Sequence, residues 1–443
     1  MAIDEALDVL LLCNRPVPNA DASTVTDHLD SFRRYSCHRI RELSFLRHLP
    51  SALDMGQFDV LVIHYSTAIG YLSEHYINVE AKQRVREFQG LKVVFIQDEY
   101  RAIRKVQDTL RTMKVDLLFT CMPEGEIEKV YPSSALPGMV RVSNLTGYVP
   151  EHLLALPAAR IADRPIDVGY RTRKPPYWLG RLGYEKWRIA ELFAEAAAGS
   201  GLQLDISYRE GDRLYGKTWL RFLGSCKAML GVESGASVFD FEGNLQCEVD
   251  AFVAAHPDAS FEEVHAKLLA AHEGAISQNQ ISPRCFEAAA MRTAMVLFEG
   301  GYSGVLQPWR HFIPLRKDFG NFAEALAALR DIAGLQQMAD RTYEEVARSD
   351  AWSYRSFIAR FDAAVSEQFN RQGRQRAACP YRRGKYLVQL AASPAYLIHR
   401  AYSRVFQWLL LATPLRRIVF NLWGRIPSSG RQLIRPLLRL LGR

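Results

Sequence analysis

ISPRCFEAAAMRTAMVLFEGGYSG, residues 281–304, divides into three pieces. Pro283 sits where a helix opens, and Phe286, Ala289, Ala290 and Thr293 share one face of the turns that follow, with Arg284 and Glu287 three apart on another. The alanines keep this helix slim enough to lie close to the apolar run AMVLF. EGGYSG then ends the run in a loop whose backbone N–H groups can approach an anion or a hydroxyl. Helix, fully apolar strand and glycine loop in that order form one step of a parallel α/β sheet.

The same step recurs in both directions. Upstream, PIDVGYR (165–171), LQLDISY (202–208) and CKAMLGVES (226–234) are strand-like, and HFIPLRKDF (311–319) follows downstream. Between them GYEKWRIAELFAEAAAGSG stops at glycine, and NFAEALAALRDIAG has an asparagine start and a glycine stop. A helical insertion falls near 247–280. A separate series opens the chain: DVLLLC (8–13), DVLVIHYS (59–66), KVVFIQ (92–97) and DLLFT (116–120), spaced by amphipathic stretches. The fold class expected is therefore α/β, with two tandem Rossmann-like doubly wound domains, over 1–150 and 160–345. A closing helix at 346–370 follows, in which Trp352, Phe357, Ile358, Phe361 and Val365 recur at helical spacing. Such sheets meet their ligands beyond the carboxyl ends of the strands, so a tandem pair predicts one ligand met from two sides.

Composition excludes several classes. With 48% apolar residues over 443 positions the chain has enough material for two or three cores and is not a disordered protein. MAIDEALDVLLLC carries three acids and runs straight into a strand, which predicts no secretory leader and a cytoplasmic location. Seven scattered cysteines, with no CxxC and no His/Cys cluster at ligand spacing, predict reduced core thiols and neither a metal site nor a cofactor. The net charge of +8 is uneven: residues 371–443 hold 15 Lys plus Arg and no acid, leaving 41 basic against 48 acidic residues, a net of −7, for the rest.

Candidate site residues follow from the strand ends. In the first domain His64, Asp98 and Glu99 close strands, where a titratable group can orient an acceptor hydroxyl or take its proton; equally, His64 can be a core histidine and Asp98 a helix cap. In the second, Arg171, Arg173, Lys174 and Arg181 crowd the loop after one strand and Lys186 opens the next helix. These cations suit a diphosphate, or form a solvated basic loop. GVESGASVFDFEG (231–243) offers Glu233, Ser234, Gly235 and Ser237 for a base or sugar hydroxyls, or a simple turn. Its DFE resembles an acidic metal-binding triplet but stands in the second domain, within a turn signal. Glu287 is placed to accept two hydrogen bonds from a ribose diol, with Gly300, Gly301, Tyr302 and Ser303 near the phosphates; a surface Arg284–Glu287 pair and a plain turn are the alternative.

Strand, Arg-bearing loop, Lys-bearing helix, then RCFEAAAMRTAMVLFEGGYSG and HFIPLRKDF together resemble the donor half of GT-B glycosyltransferases of the group 1 kind. The branch resembled is the spore-coat maturation glycosyltransferase-like one, related to enzymes of bacterial surface polysaccharides. The likeness covers about 165–370 and reaches the first domain only in its strand pattern. In that family two glutamates separated by seven residues bind the donor, and Glu287 falls on the second. Asn279 stands where the first would be, and Arg292-Thr293 where a small residue is usual. The resemblance implies transfer of a sugar from a nucleotide diphosphate sugar to a hydroxyl acceptor, with retention and without a metal. By the same likeness Arg171 and Lys186 would hold the diphosphate, and Glu287 the ribose.

The tail, 371–443, mixes Phe406, Trp408, Leu409 to Leu411, Phe420, Leu422 and Trp423 with arginines. Its apolar run VFQWLLLA is far short of the roughly 20 residues that span a bilayer. It predicts interfacial helices on an anionic membrane, and a peripheral location at the inner face. Leu and Trp clusters suit lipid better than nucleic acid, so the partners expected are a nucleotide-sugar donor, a glycan or lipid-linked glycan acceptor and the membrane, with no nucleic acid. Two other classes fit the same architecture: a sugar-nucleotide epimerase or hydrolase, and a catalytically weak membrane-associated assembly protein.

Overall fold

The computed structural model describes residues 6–16, 23–71, 73–379, 381–394, 396–398, 400–401 and 405. The chain forms two α/β units. Among the described residues, unit 1 holds the chain up to residue 144, residues 241–243 and those from 358 on; unit 2 holds 145–240 and 244–357.

Unit 1 is built on β1 (Asp8–Cys13), α1 (Ser23–Tyr35), β2 (Arg39–Ser44), β3 (Val60–Ile63), α2 (Ser73–Tyr76), α3 (Val79–Glu87), β4 (Leu91–Ile96), α4 (Ile103–Met113), β5 (Leu117–Thr120), α5 (Glu124–Val130) and β6 (Val140–Ser143). Its six strands are all parallel, in the order β2-β1-β3-β4-β5-β6. β1, β3, β4 and β5 are buried along their length, as their mostly apolar runs require. The two edges, RIRELS and VRVS, were not among the expected strands. An edge strand is covered on fewer sides, so it tolerates the charged residues that break the apolar signal.

Unit 2 runs through α6 (Glu151–Leu154), β7 (Ile166–Arg171), α7 (Gly180–Ala196), β8 (Leu204–Ser207), α8 (Gly216–Ser225), β9 (Cys226–Gly231), α9 (Leu245–Ala255), α10 (Phe261–Val264), α11 (Pro283–Ala290), β10 (Ala294–Phe298), β11 (Ile313–Leu315), α12 (Phe322–Arg330) and α13 (Ile332–Thr342). Its parallel strands lie in the order β11-β10-β9-β7-β8. Each sheet thus places its first strand between its second and third, and both units are doubly wound Rossmann-like sheets. Alternation along β9 and β10 sends Met229, Met295 and Leu297 to one core with Trp219, Phe222 and the α11 alanines. Ala228, Leu230, Val296 and Phe298 go to the other, with Ile189, Phe193 and Leu329.

The closing helix, α14 (Tyr354–Arg371), enters unit 1 from Ile358. There the Phe361 ring lies 5.0 Å from that of Phe32 and 6.0 Å from that of Phe119, which stacks on Phe95 at 4.5 Å.

The first part of the segment after it, where the sequence predicts a membrane-surface tail over 371–443, is bound to unit 1. Arg374 pairs with Asp116 at 2.9 Å, the Ala377 N–H donates to Asp59 at 2.8 Å, and Lys385, on α15 (Arg383–Ala391), pairs with Asp54 at 2.8 Å. Farther on, the Ala52 N–H donates to Ser393 Oγ and Tyr396 OH to the Ser44 carbonyl. These cations answer acids of unit 1. Residues 406–443, with Phe406, Trp408, Leu409 to Leu411, Phe420, Leu422 and Trp423, lie outside the described residues. No helix among the described residues is long and apolar enough to cross a membrane.

Candidate binding site at the strand ends of unit 2

The β7/β9 boundary is where the winding of the unit 2 sheet reverses, the place where loops part and a ligand can enter. Two residues beyond β9 stands Glu233, only 5% exposed. Its Oε1 accepts the Tyr302 N–H at 2.8 Å and its Oε2 accepts the Asn279 side-chain amide at 2.7 Å. Gly301 is right-handed, Tyr302 and Ser303 are left-handed (φ 44° and 54°), and that reversal curls successive N–H groups around an anion. The anion here is the Glu233 carboxylate. Gly300 has no side chain because a Cβ would stand 2.6 Å from the Glu233 Cδ. So the loop expected to cradle phosphate already holds a carboxylate, and Asn279 binds that carboxylate instead of supplying one. The exposed amides of Gly300 and Gly301 have no protein acceptor among the described residues.

The neighbouring loops are tied to the same point. Ser234 and Gln280 exchange two backbone hydrogen bonds, at 2.7 and 2.9 Å, and Ser303 Oγ accepts the Ile281 N–H at 3.0 Å. Gly235 (φ +110°) passes so near the Gln278 carbonyl that a Cβ would overlap it at 1.8 Å. Lys186, from α7, donates to the Gly235 carbonyl at 3.3 Å.

Glu287 is 6% exposed, and the Trp219 indole N–H donates to it at 2.7 Å. Arg284 lies over the same Trp219 ring, at 5.1 Å, and donates to the Arg171 carbonyl. Arg284 and Glu287 therefore grip one indole and do not form a surface pair. Arg171 is engaged by the protein: its guanidinium pairs with the Asp205 carboxylate at 2.7 Å and lies over Phe222 at 4.2 Å. Lys174 lies over Trp187 at 4.0 Å, and Arg181 pairs with Glu262. Arg173 is exposed in the loop after β7. Asp240 accepts the Leu245 N–H and Glu242 pairs with Arg104, so the DFE residues serve as a cap and an ion pair.

Unit 1 has its own reversal at β1/β3, and His64 lies there, but fully buried. Its Nδ1 accepts from Ser66, by the N–H at 3.0 Å and the hydroxyl at 2.9 Å, while the Asn14 N–H donates to that hydroxyl at 3.0 Å. The ring proton therefore sits on Nε2 and goes to His28 Nδ1 at 2.9 Å. Burial first, then His28 and Arg15, holds the His64 pKa well below the usual range. With both nitrogens occupied and no exposure, His64 is a neutral junction, not the acceptor-facing base expected. Glu99 is likewise buried: it accepts from Tyr131 OH at 2.6 Å, Cys121 N–H at 2.5 Å and Thr120 Oγ1, joining the ends of β4 and β5. Burial pushes its pKa up to about 7 against those three donors. Asp98 alone of the three is exposed, on a left-handed backbone (φ 60°) just past β4. Among the described residues one group brings three possible metal-ligand atoms together, Cys37, His38 and Asp362. Both Asp362 oxygens already accept hydrogen bonds there, from Ser36 Oγ and the Cys37 N–H.

The sequence pointed to Glu233 only as one residue of a loop, and gave no sign of Trp219, Asp205, Asn14 or Ser66. Tyr302 and Ser303 could have been found as a turn after Gly-Gly, but not as a cradle for a residue 69 positions away.

No protein-family model matches the chain, and no curated protein is significantly similar to it. Among solved structures it is similar to an α-glucosyltransferase in complex with UDP-glucose and DNA containing an abasic site, at 10% identity over 81% of this chain and 98% of that one, TM-score 0.49. It is also similar to Anabaena HepE in complex with UDP (9% identity, 82% and 100% covered, TM-score 0.45) and to an α1,3-fucosyltransferase (9%, 83% and 92%, TM-score 0.42).

Proposed function

We propose that this protein is a GT-B glycosyltransferase of the group 1 kind, in the branch resembling spore-coat maturation glycosyltransferases. It transfers a sugar from a nucleotide diphosphate sugar to a hydroxyl of a bacterial surface glycan intermediate at the cytoplasmic face of the membrane. The observation that carries this reading is the closed arrangement beyond β9, β10 and α11. A buried Glu233 organises a glycine loop with two unused amides, a buried Glu287 is held by an indole, Lys186 reaches the Gly235 carbonyl, and Arg173 stands exposed in the loop after β7.

In this reading Glu287, one oxygen fixed by Trp219, accepts the ribose hydroxyls. Arg173 and Lys186 offset the charge that grows on the departing diphosphate, and the Gly300 and Gly301 amides meet its sugar-phosphate end. Fixed cations and backbone dipoles suffice for that role, which makes the transfer independent of a metal. Arg171 acts by position, holding Arg284 through its carbonyl and β8 through Asp205. Retention of configuration belongs to the same reading.

A thermal-shift screen against UDP, GDP, CMP and their sugar conjugates tests it. One nucleoside diphosphate should raise the Tm of the wild type, and Glu287→Gln, which keeps the side chain's shape, should abolish the shift. Release of free nucleotide only when an acceptor is added separates a transferase from a hydrolase. A protein that no nucleotide stabilises is not a glycosyltransferase of this kind, and the assembly role takes its place.

A further inference from the structure

Of nine exposed large hydrophobic residues among the described residues, five fall between 387 and 405: Leu387 (53%), Val388 (68%), Leu397, Ile398 (69%) and Val405. The other four, Val79, Leu156, Tyr208 and Trp309, are scattered along the chain, as on most surfaces. The segment has an inner side as well, set by Tyr386 and Gln389 on α15 and by Ser393 and Tyr396 just past its end. Gln389 accepts from Gln57 at 3.0 Å, Ser393 and Tyr396 bond to Ala52 and Ser44, and Tyr386 is 7% exposed. The outer side is thus held outward by unit 1 itself.

The segment's own charge is of one sign, although Lys385 within it is answered by Asp54 of unit 1. Residues 382–443 contain 12 Lys plus Arg and no Asp or Glu. A second copy of this chain would bring the same excess of positive charge to the same place, and a nucleic acid would leave Leu387, Val388 and Ile398 against water. An anionic bilayer answers both, taking apolar side chains below its headgroups and gaining on the order of fivefold in partitioning for each basic residue near the surface. The 38 residues after Val405 continue the composition with seven arginines and no acid.

We infer that the outer face of α15 and the segment after it, centred on Leu387, Val388 and Ile398, docks on an anionic lipid surface. Tyr386, Gln389, Ser393 and Tyr396 fix that face to unit 1. The inference names the surface behind the membrane location proposed above. Vesicle binding needs neither donor nor acceptor, so the two readings fail separately.

The test is co-sedimentation of the full chain with vesicles of phosphatidylcholine alone and of phosphatidylcholine with phosphatidylglycerol, beside the variant carrying Leu387→Asp, Val388→Asp and Ile398→Asp. The full chain should bind the anionic vesicles and not the neutral ones. The variant should bind at least ~10-fold less with an unchanged Tm, because these side chains are exposed. Equal binding to both vesicles, no binding to either, or full binding by the variant would each overturn the inference. So would lipid-free sedimentation velocity showing a dimer that the variant dissociates, together with absent vesicle binding.

Discussion

The Glu233 carboxylate accepts the Tyr302 backbone N–H at 2.8 Å, and through that one bond the loop after β9 sets the shape of the loop after β10. Removing the charge but keeping the shape, Glu233→Gln, puts an amide N–H or a weaker acceptor into the curled backbone. We expect a loss of about 1–3 kcal/mol in stability, the range for a buried donor left poorly satisfied. Nucleotide binding should weaken with it; urea denaturation and the thermal-shift screen report the two separately. A variant as stable and as responsive as the wild type would show that the loop holds its shape alone.

Gly300→Ala tests the same contact from the other side. Its Cβ would lie 2.6 Å from the Glu233 Cδ, so the carboxylate must move, at about 1–3 kcal/mol. In a Glu233→Ala background the obstacle is gone and the cost should shrink. A cost that stays the same in both backgrounds would place the strain elsewhere.

Trp219→Phe leaves an aromatic face for Arg284, a phenyl in place of the indole, and removes the N–H that reaches Glu287. A buried carboxylate that loses a charge-assisted donor costs about 1–3 kcal/mol. The nucleotide-induced Tm shift should fall with it. An unchanged shift would mean that the indole serves packing alone.

Acid titration separates two buried groups of unit 1. Glu99 has a folded pKa raised to about 7, above its unfolded value, so its ionisation opposes folding as pH rises from about 4.5 to 7. The stability of wild type minus Glu99→Gln should therefore improve by about 3 kcal/mol as pH falls through that window. The His28–His64 pair acts in the opposite sense. Burial lowers His28 to about 3 and holds His64 well below its usual range, so the stability they lend is complete above about pH 6.5 and lost on acidification. A Glu99 difference curve flat in pH would mean that Thr120, Tyr131 and Cys121 hold the carboxylate ionised.

Truncation locates the end of the folded chain. A chain ending at 405 should melt with the full-length protein. One ending at 370 loses the Arg374–Asp116 and Lys385–Asp54 pairs and the Ala377 bond to buried Asp59, and should lose several °C or fail to fold. Equal melting of both would show that these contacts contribute nothing.

The buried centre of each sheet was readable because β1, β3, β4, β5, β9 and β10 are predominantly apolar, their few polar residues (Asp8, Lys92, Thr120 and Lys227) lying at or next to a strand end, a pattern that burial on both faces imposes. The edges β2 and β6 were not, since their exposed sides carry Arg39, Arg41 and Arg141. In the site, types and places were legible but partners were not. Glu287 stood out on a slim helix, whereas its Trp219 comes from a helix 68 residues earlier. Arg171 read as a free cation because Asp205, on the next strand, carries no mark of that pairing in the sequence. The tail misled in the same way: its basic composition is uniform, but its first cations answer acids of unit 1.

Phe361, packed between Phe32, Phe95 and Phe119, comes from the far end of the chain. During synthesis, then, unit 2 emerges whole except for its join to α14, while the strands of unit 1, made first, wait until residues 144–353 are made for the helix that covers them. Unit 1 is born early and finished last. The nascent chain is thus most exposed to aggregation and to chaperones at its amino end, long after that end has left the ribosome.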